Sequence, residues 1–423
     1  MIIDFKFKNY LSFADECCFT MLANKDKSHE DDLIVEGKER LSKARIIYGA
    51  NASGKSSFIK AMRFVSAFVN NSNTMLEKMP IGVSPFKFCD NCFNKPSEFS
   101  ITFIKDNIKY LYRFTCTRKK VIDERLDIFY SAKPTMIFNR TQTNSYEFNK
   151  DAKLLSELKS KNLENKLFLV TSASWNYDKT KPVVDYLINT ITVAINVERL
   201  WQTYLDKIKS NNETEEYKTF CLKLLNNADF SIIDFNLESK KIKDIGGKDK
   251  FFKDLIRILT RGNEEDINNF ENSNIYNIET FHNILDGGKN KRYSLNLNEE
   301  STGTVQLFKF SPLLYYVFKE GRVLFIDEIN NSLHPLMVKY LIKLFLDKTI
   351  NTCNAQLIAN THDTNLLDLN IFRRDDIWFS ERNYRSGKTE MYSLADFSPR
   401  KSENIEKAYL IGRFGAIPFI KGE

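Results

Sequence analysis

Eight residues, Gly49-Ala-Asn-Ala-Ser-Gly54-Lys55-Ser56, restrict the fold of this chain more than any other part of it. They satisfy the pattern G-x-x-x-x-G-K-[ST] without a mismatch. A short apolar run at 45–48 precedes them, and helical spacing follows over 56–70, where Phe58, Ile59, Met62, Val65, Ala67 and Phe68 fall mostly on one side. A strand, a glycine-rich turn and a helix N-terminus in that order form a nest of backbone N–H groups that suits phosphate. The glycines let the backbone curl, and Asn51, Ser53 and Ser57 lie in or beside the same turn. Lys55 supplies a positive charge for the β- and γ-phosphates, and Ser56 a hydroxyl for Mg²⁺.

A second element fits the first. The run 323–326 is wholly apolar and ends in Asp327 and Glu328. A buried strand ending in a carboxylate can hold Mg²⁺ beside such a loop, and the next carboxylate can polarise an attacking water. On its own, a strand end capped by solvated acids is an equally good account. Glu300-Ser301-Thr302-Gly303 stands just before a helical run at 304–318. Ser301 reads either as an N-cap or, with Gly303, as a helix N-terminus that contacts an anion. His362 follows the expected strand 356–360; a lone histidine at a strand end is more often structural.

The remaining chain reads as α/β at both ends with a different middle. Alternation at 2–7, 17–22, 98–104, 109–115 and 121–130 predicts N-terminal antiparallel strands, with a tight turn at Lys105-Asp106-Asn107. Residues 151–290 carry helix-like runs at 153–161, 182–209 and 215–226, a strand at 230–237 and a polar loop at 263–277. After 291, strands alternate with helices, which predicts a mostly parallel sheet covered on both faces. The expected division is an N-terminal lobe at 1–150, a mainly helical insertion at 151–290 and a C-terminal lobe at 291–423. No sustained heptad supports a long coiled coil.

Composition excludes some alternatives. The 34 Phe and 18 Tyr argue against disorder. A net charge of +7 permits nucleic acid without requiring it. No apolar run is long enough to span a membrane, and the first residues alternate as a strand does. A cytoplasmic location follows as an expectation, with the seven cysteines reduced. Cys89 and Cys92 form a C-x-x-C without the second pair of a zinc ribbon, so two small loop side chains are expected there.

Taken in order, Gly49–Ser56, Ser301 with Gly303, Asp327 with Glu328, 331–335 and His362 resemble the motif series of ABC-type ATPases. With Phe5 to Phe13 at the start, Leu333-His334-Pro335, and Tyr409 to Pro418 at the end, the chain resembles the overcoming-lysogenization-defect (OLD) related group of AAA family ATPases. That group includes RloA-like and abortive-infection proteins. The resemblance covers about 200 residues at the two ends and the motifs. It implies an ABC-type head with ATP and Mg²⁺ as cofactors. Glu328 and His362 would be catalytic, and 331–335 a loop at a dimer interface. Ser301 and Gly303 would close over the γ-phosphate held by a second copy. It also implies a homodimer or higher homo-oligomer, and a role as sensor or regulator in bacterial anti-phage defence. A separate effector, a Toprim-type nuclease or another toxin, would then act with it, triggered by DNA or a phage protein. Two departures stand out. No Gln occurs between Lys55 and Gln142, where ABC heads carry one, and only about 60 residues follow His362, too few for a nuclease domain. A RecF-like or SMC-like DNA-repair ATPase shares the same head and is the alternative, as is a scaffold that uses ATP only for assembly.

Overall fold

A computed structural model describes the chain except residues 90–91, 196, 229–230, 247–262, 331–334, 401 and 418–423. It divides into two compact units. The first comprises Met1–Ile195, Val317–Asn331 and Val338–Glu423, and the second Asn196–Tyr316 and Ser332–Met337.

Two large sheets build the first unit, beside a short hairpin of Ile34–Glu36 and Glu39–Leu41. Five strands of the inner sheet run parallel, in the order Ile191–Ala194, Val323–Ile326, Gln356–Asn360, Ala44–Tyr48 and Ile377–Arg382; Thr389–Ser393 closes the edge antiparallel. Every residue of Ala44–Tyr48, Val323–Ile326 and Gln356–Asn360 is buried. That explains why these runs are mostly apolar instead of alternating, with Arg45, Gln356 and Asn360 as buried polar exceptions. The other sheet has seven antiparallel strands between Ile2 and Phe148. Its hairpin at Lys105 turns through Asp106 (φ 50°) and Asn107 (φ 60°), the two left-handed residues that a tight two-residue hairpin turn needs.

The helix Lys55–Ser72 sits between the sheets. The Phe58 ring lies 5.8 Å from Phe5 and 4.9 Å from Phe19 on the antiparallel side, and 6.4 Å from Phe325 on the parallel side. Each such buried ring contributes about 1.5–3 kcal/mol. Polar seams join the sheets as well. Gln356 accepts from Ile2 N (2.6 Å) and donates to Ile2 O and Ser42 O (both 3.2 Å), satisfying a fully buried amide. Near the C-terminus, the rings of Tyr409 and Phe414 lie 5.5 and 5.8 Å from Phe379, one strand away from the glycine-rich loop's own strand.

The second unit carries the helices Val197–Ser210 and Thr214–Asn227 and a three-stranded antiparallel sheet of Ile232–Lys241, Asn274–Asp286 and Lys289–Asn296. Most of the helix Thr302–Glu320 belongs here, with Pro312 inside it. Proline has no N–H for the carbonyl four residues back. The Ser311 hydroxyl donates to that carbonyl, Phe308 O, at 2.7 Å, and the helix continues.

Several expectations need correction. The helix expected over 182–209 is instead a short helix Lys181–Asp185, a π-turn Tyr186–Thr190, the edge strand Ile191–Ala194 and the helix Val197–Ser210. Four β-branched residues among Thr190–Val193 disfavour helix and suit a strand. The polar stretch at 263–277 is not a loop: it holds the helix Glu264–Asn272 and opens a thirteen-residue strand. Strands Thr135–Thr141 and Ser145–Phe148 were not expected at all. Cys89 and Cys92, expected as thiols, are joined by a disulfide, with their Cα atoms 5.4 Å apart. The other five cysteines are free. Among the described residues no helix is long and apolar enough to cross a membrane.

Candidate functional site

The loop after Ala44–Tyr48 is shaped by what lies behind it. A Cβ on Gly49 would stand 2.2 Å from Ser380 O, and one on Gly54 would stand 2.5 Å from the Thr389 side chain. Both glycines also have positive φ, 153° and 113°. The Ser380 and Thr389 hydroxyls donate to Ser53 O at 3.1 and 2.9 Å, which fastens the loop to the neighbouring strand and its hairpin partner. Sequence reasoning missed these two residues, since nothing local marks them.

Inside the loop, Lys55 donates to Gly49 O (2.7 Å) and Ala50 O (2.9 Å), so its ammonium is tied across the curl. Burial pushes its pKa down to about 8, against the opposing pull of the Glu328 and Asp327 charges. Ser53 Oγ is buried and has no hydrogen-bond partner among protein groups. Glycines that admit no side chain, a tethered ammonium and a buried unsatisfied hydroxyl together fit a phosphate chain. Asn51 is exposed at the tip of the turn, and Ser57 is half-buried in the first helical turn.

The carboxylates meet this loop from the side. Asp327 Oδ1 accepts from Ser56 Oγ at 2.8 Å and from Asn360 Nδ2 at 2.6 Å. A hydroxyl beside a carboxylate is the hard-oxygen donor set that Mg²⁺ takes. Glu328 has φ 55°, left-handed for a residue with a side chain. Its N–H donates to Asn360 Oδ1 at 2.5 Å, and Ile329 N donates to Asn360 O at 3.1 Å. His362 Nε2 stands 3.9 Å from Glu328 Oε1. Burial, followed by the Lys55 charge, lowers the His362 pKa, so the imidazole is neutral at pH 7 and this contact is not an ion pair. The first unit thus brings Gly49–Ser56, Asp327, Glu328 and His362 together, with Asn360 between the last three.

Ser301 and Gly303 belong to the second unit. Ser301 Oγ accepts from Thr304 N at 3.2 Å, so the serine does cap the helix Thr302–Glu320. The preceding Glu300 is held by Thr280 Oγ1 (2.5 Å) and His282 Nε2 (2.7 Å). Residues 331–334, with the expected interface loop and His334, lie outside the described residues.

Lys55 sets a pH dependence. Its folded-state pKa is depressed, so the ammonium is charged below about pH 8 and neutral above it. Phosphate favours the charged form. Nucleotide affinity is therefore expected to be flat below pH 8 and to fall by up to about tenfold per pH unit above it, with proton uptake on binding. Calorimetric titration at pH 7, 8 and 9 in buffers of different ionisation enthalpy measures both effects.

The sequence model of one protein family, described as "AAA domain, putative AbiEii toxin, Type IV TA system", matches residues 46–368. A comparison with curated proteins gives no match. Among solved structures the chain is similar to an Smc head bound to the C-winged helix domain of ScpA, at 13% identity over 93% of this chain and 97% of that one, with a TM-score of 0.44. It is also similar to the SMC head domain from Thermotoga maritima, at 12% identity over 93% and 98%, with a TM-score of 0.43. Likeness at this distance does not bear on function.

Proposed function

The chain belongs to this family of AAA domains, and from that membership we propose that it works as one half of a nucleotide-clamped pair of heads. It is a P-loop enzyme that binds and hydrolyses ATP. In the proposed cycle, Gly49–Ser56 grips the triphosphate with Lys55 on the β- and γ-phosphates. Ser56 and Asp327 would hold Mg²⁺, which when bound neutralises phosphate charge. Glu328 takes a proton from the attacking water. His362, as a neutral imidazole, donates one N–H to a γ-phosphate oxygen. Ser301 and Gly303 of a second copy close over the same phosphate with the N-terminus of their helix.

The observation that carries this reading is the direct hydrogen bond from Ser56 to Asp327 with Glu328 as the next residue. It ties the phosphate loop to one carboxylate, and the chain turns sharply at the other. The output we assign is control of a separate effector, a Toprim-type nuclease or another toxin, in bacterial anti-phage defence. The family description, a putative AbiEii toxin of a type IV toxin–antitoxin system, supports the defence part of that assignment.

A mixing experiment tests the shared site. Lys55→Ala damages one component and Ser301→Arg the other, and each variant alone is expected to hydrolyse little ATP. Mixed, they form heterodimers in which one of the two sites has an intact loop and an intact Ser301 turn, so activity returns. No recovery on mixing, with heterodimers demonstrated, would rule out catalysis across a dimer. A second reading is a DNA-repair ATPase of the RecF and SMC kind, which shares the same head and which a net charge of +7 permits without requiring. Heads that neutralise duplex phosphates lose affinity steeply with salt. A steep slope selects that reading, and salt-insensitive or absent binding selects the effector reading.

A further inference from the structure

We infer that Asn360 is a positioning residue for hydrolysis, holding both Asp327 and Glu328 in their working orientations through the two ends of one side-chain amide. The inference rests on the proposed role of Glu328 and extends it to a residue that no motif contains.

Asn360 ends the strand Gln356–Asn360 and is fully buried. Parallel pairing with Val323–Ile326 sets Ala359 beside Ile326, so Asn360 comes level with Asp327. Its Nδ2 donates to Asp327 Oδ1 at 2.6 Å, and its Oδ1 accepts from Glu328 N at 2.5 Å. Its backbone carbonyl accepts from Ile329 N at 3.1 Å. Three successive residues are thus fixed by one.

The middle contact matters most. Glu328 is left-handed (φ 55°), a conformation that costs a side-chain-bearing residue about 1–2 kcal/mol and persists only where the surroundings over-determine it. This kink turns the chain at the end of the strand. An extended residue there would carry the Glu328 side chain elsewhere. The Asn360 acceptor holds the N–H of the kinked residue, and its donor steadies the neighbouring carboxylate. A side-chain amide carries a donor and an acceptor on one short planar group without needing a proton from solvent. Its backbone continues through Thr361 into His362, whose N–H shares the Asn330 Oδ1 acceptor with Thr361 Oγ1 (3.4 and 3.0 Å). The histidine and the two acids are therefore spaced by the same short segment.

Two variants test this, with steady-state turnover and nucleotide binding measured in parallel on the full chain. Asn360→Ala is expected to lower kcat by about 10–100-fold, as loss of a supporting hydrogen-bond partner typically does, and to change the dissociation constant for ATP by less than about threefold. Asn360→Asp is isosteric and keeps the acceptor, but it puts a second carboxylate against Asp327. Its kcat should fall at least as far as that of Asn360→Ala, while its melting temperature stays close to that of wild type. A merely structural role would lower melting temperature and nucleotide affinity together with kcat. Should Asn360→Ala lose nucleotide affinity as well, the Asn360→Asp comparison decides. Wild-type kcat in Asn360→Asp overturns the inference, as does a fall in kcat accompanied by a matching loss of melting temperature, or full kcat in Asn360→Ala alongside a dead Glu328→Gln. Normal turnover by Glu328→Gln instead overturns the assigned role of Glu328, and this inference with it.

Discussion

Replacing Glu328 by Gln is expected to leave ATP binding intact and to lower steady-state hydrolysis by about 10²–10⁴-fold, the usual share of a general base. The substitution keeps the volume of the side chain and the backbone N–H that Asn360 accepts. It also leaves Lys55, Ser56 and Asp327 untouched. What it removes is a group able to take a proton from water. The Lys55 environment shifts as well, because the Glu328 charge is the larger of the two that oppose the burial-driven drop in its pKa. The onset of affinity loss at high pH should therefore move to lower pH in the variant. Phosphate release at saturating ATP, with equilibrium binding measured separately, checks the main effect. Wild-type turnover would remove Glu328 from the role.

Replacing Lys55 by Ala is expected to weaken nucleotide binding by about 10²–10³-fold, the scale on which truncating one partner of a buried charged contact acts. Lys55 is almost wholly buried, and its ammonium donates to two carbonyl oxygens of its own loop. Its charge has been taken out of water at a cost that phosphate oxygens would offset. The variant should therefore lose the ATP-induced rise in melting temperature that tight binding gives. It should also lose the decline in affinity above pH 8, since the titrating group is gone. Thermal melts with and without ATP, and titrations across pH, measure both. An unchanged dissociation constant would show that the loop does not use its lysine.

The elements that carry the site were largely legible in the sequence, for a local reason. A fully apolar run such as Val323–Ile326, or the apolar centre of Gln356–Asn360, has few places to go except the inside of a parallel sheet, and the glycines at 49 and 54 announce a turn. Residue order then made Asp327, Glu328 and His362 candidates for one site. Less legible was the strand Ile191–Ala194, because 182–209 has helical spacing on average and the β-branched run inside it is short. The long strand Asn274–Asp286 hid in a polar, asparagine-rich stretch; its pairing on both sides outweighs the weak propensity of its residues.

By itself the sequence determined that a phosphate-gripping turn joins a buried strand to an amphipathic helix, since backbone curvature, charge and hydroxyl are all encoded within eight residues. Tertiary structure alone decided which groups stand around that turn. Ser380 and Thr389 reach Ser53 from strands more than three hundred residues away, and Asn360 reaches Asp327 and Glu328 only because two parallel strands pair in one register. Register is a property of the packed sheet: a slip of one residue would point the Asn360 amide at the opposite face, and no local pattern records which alignment wins.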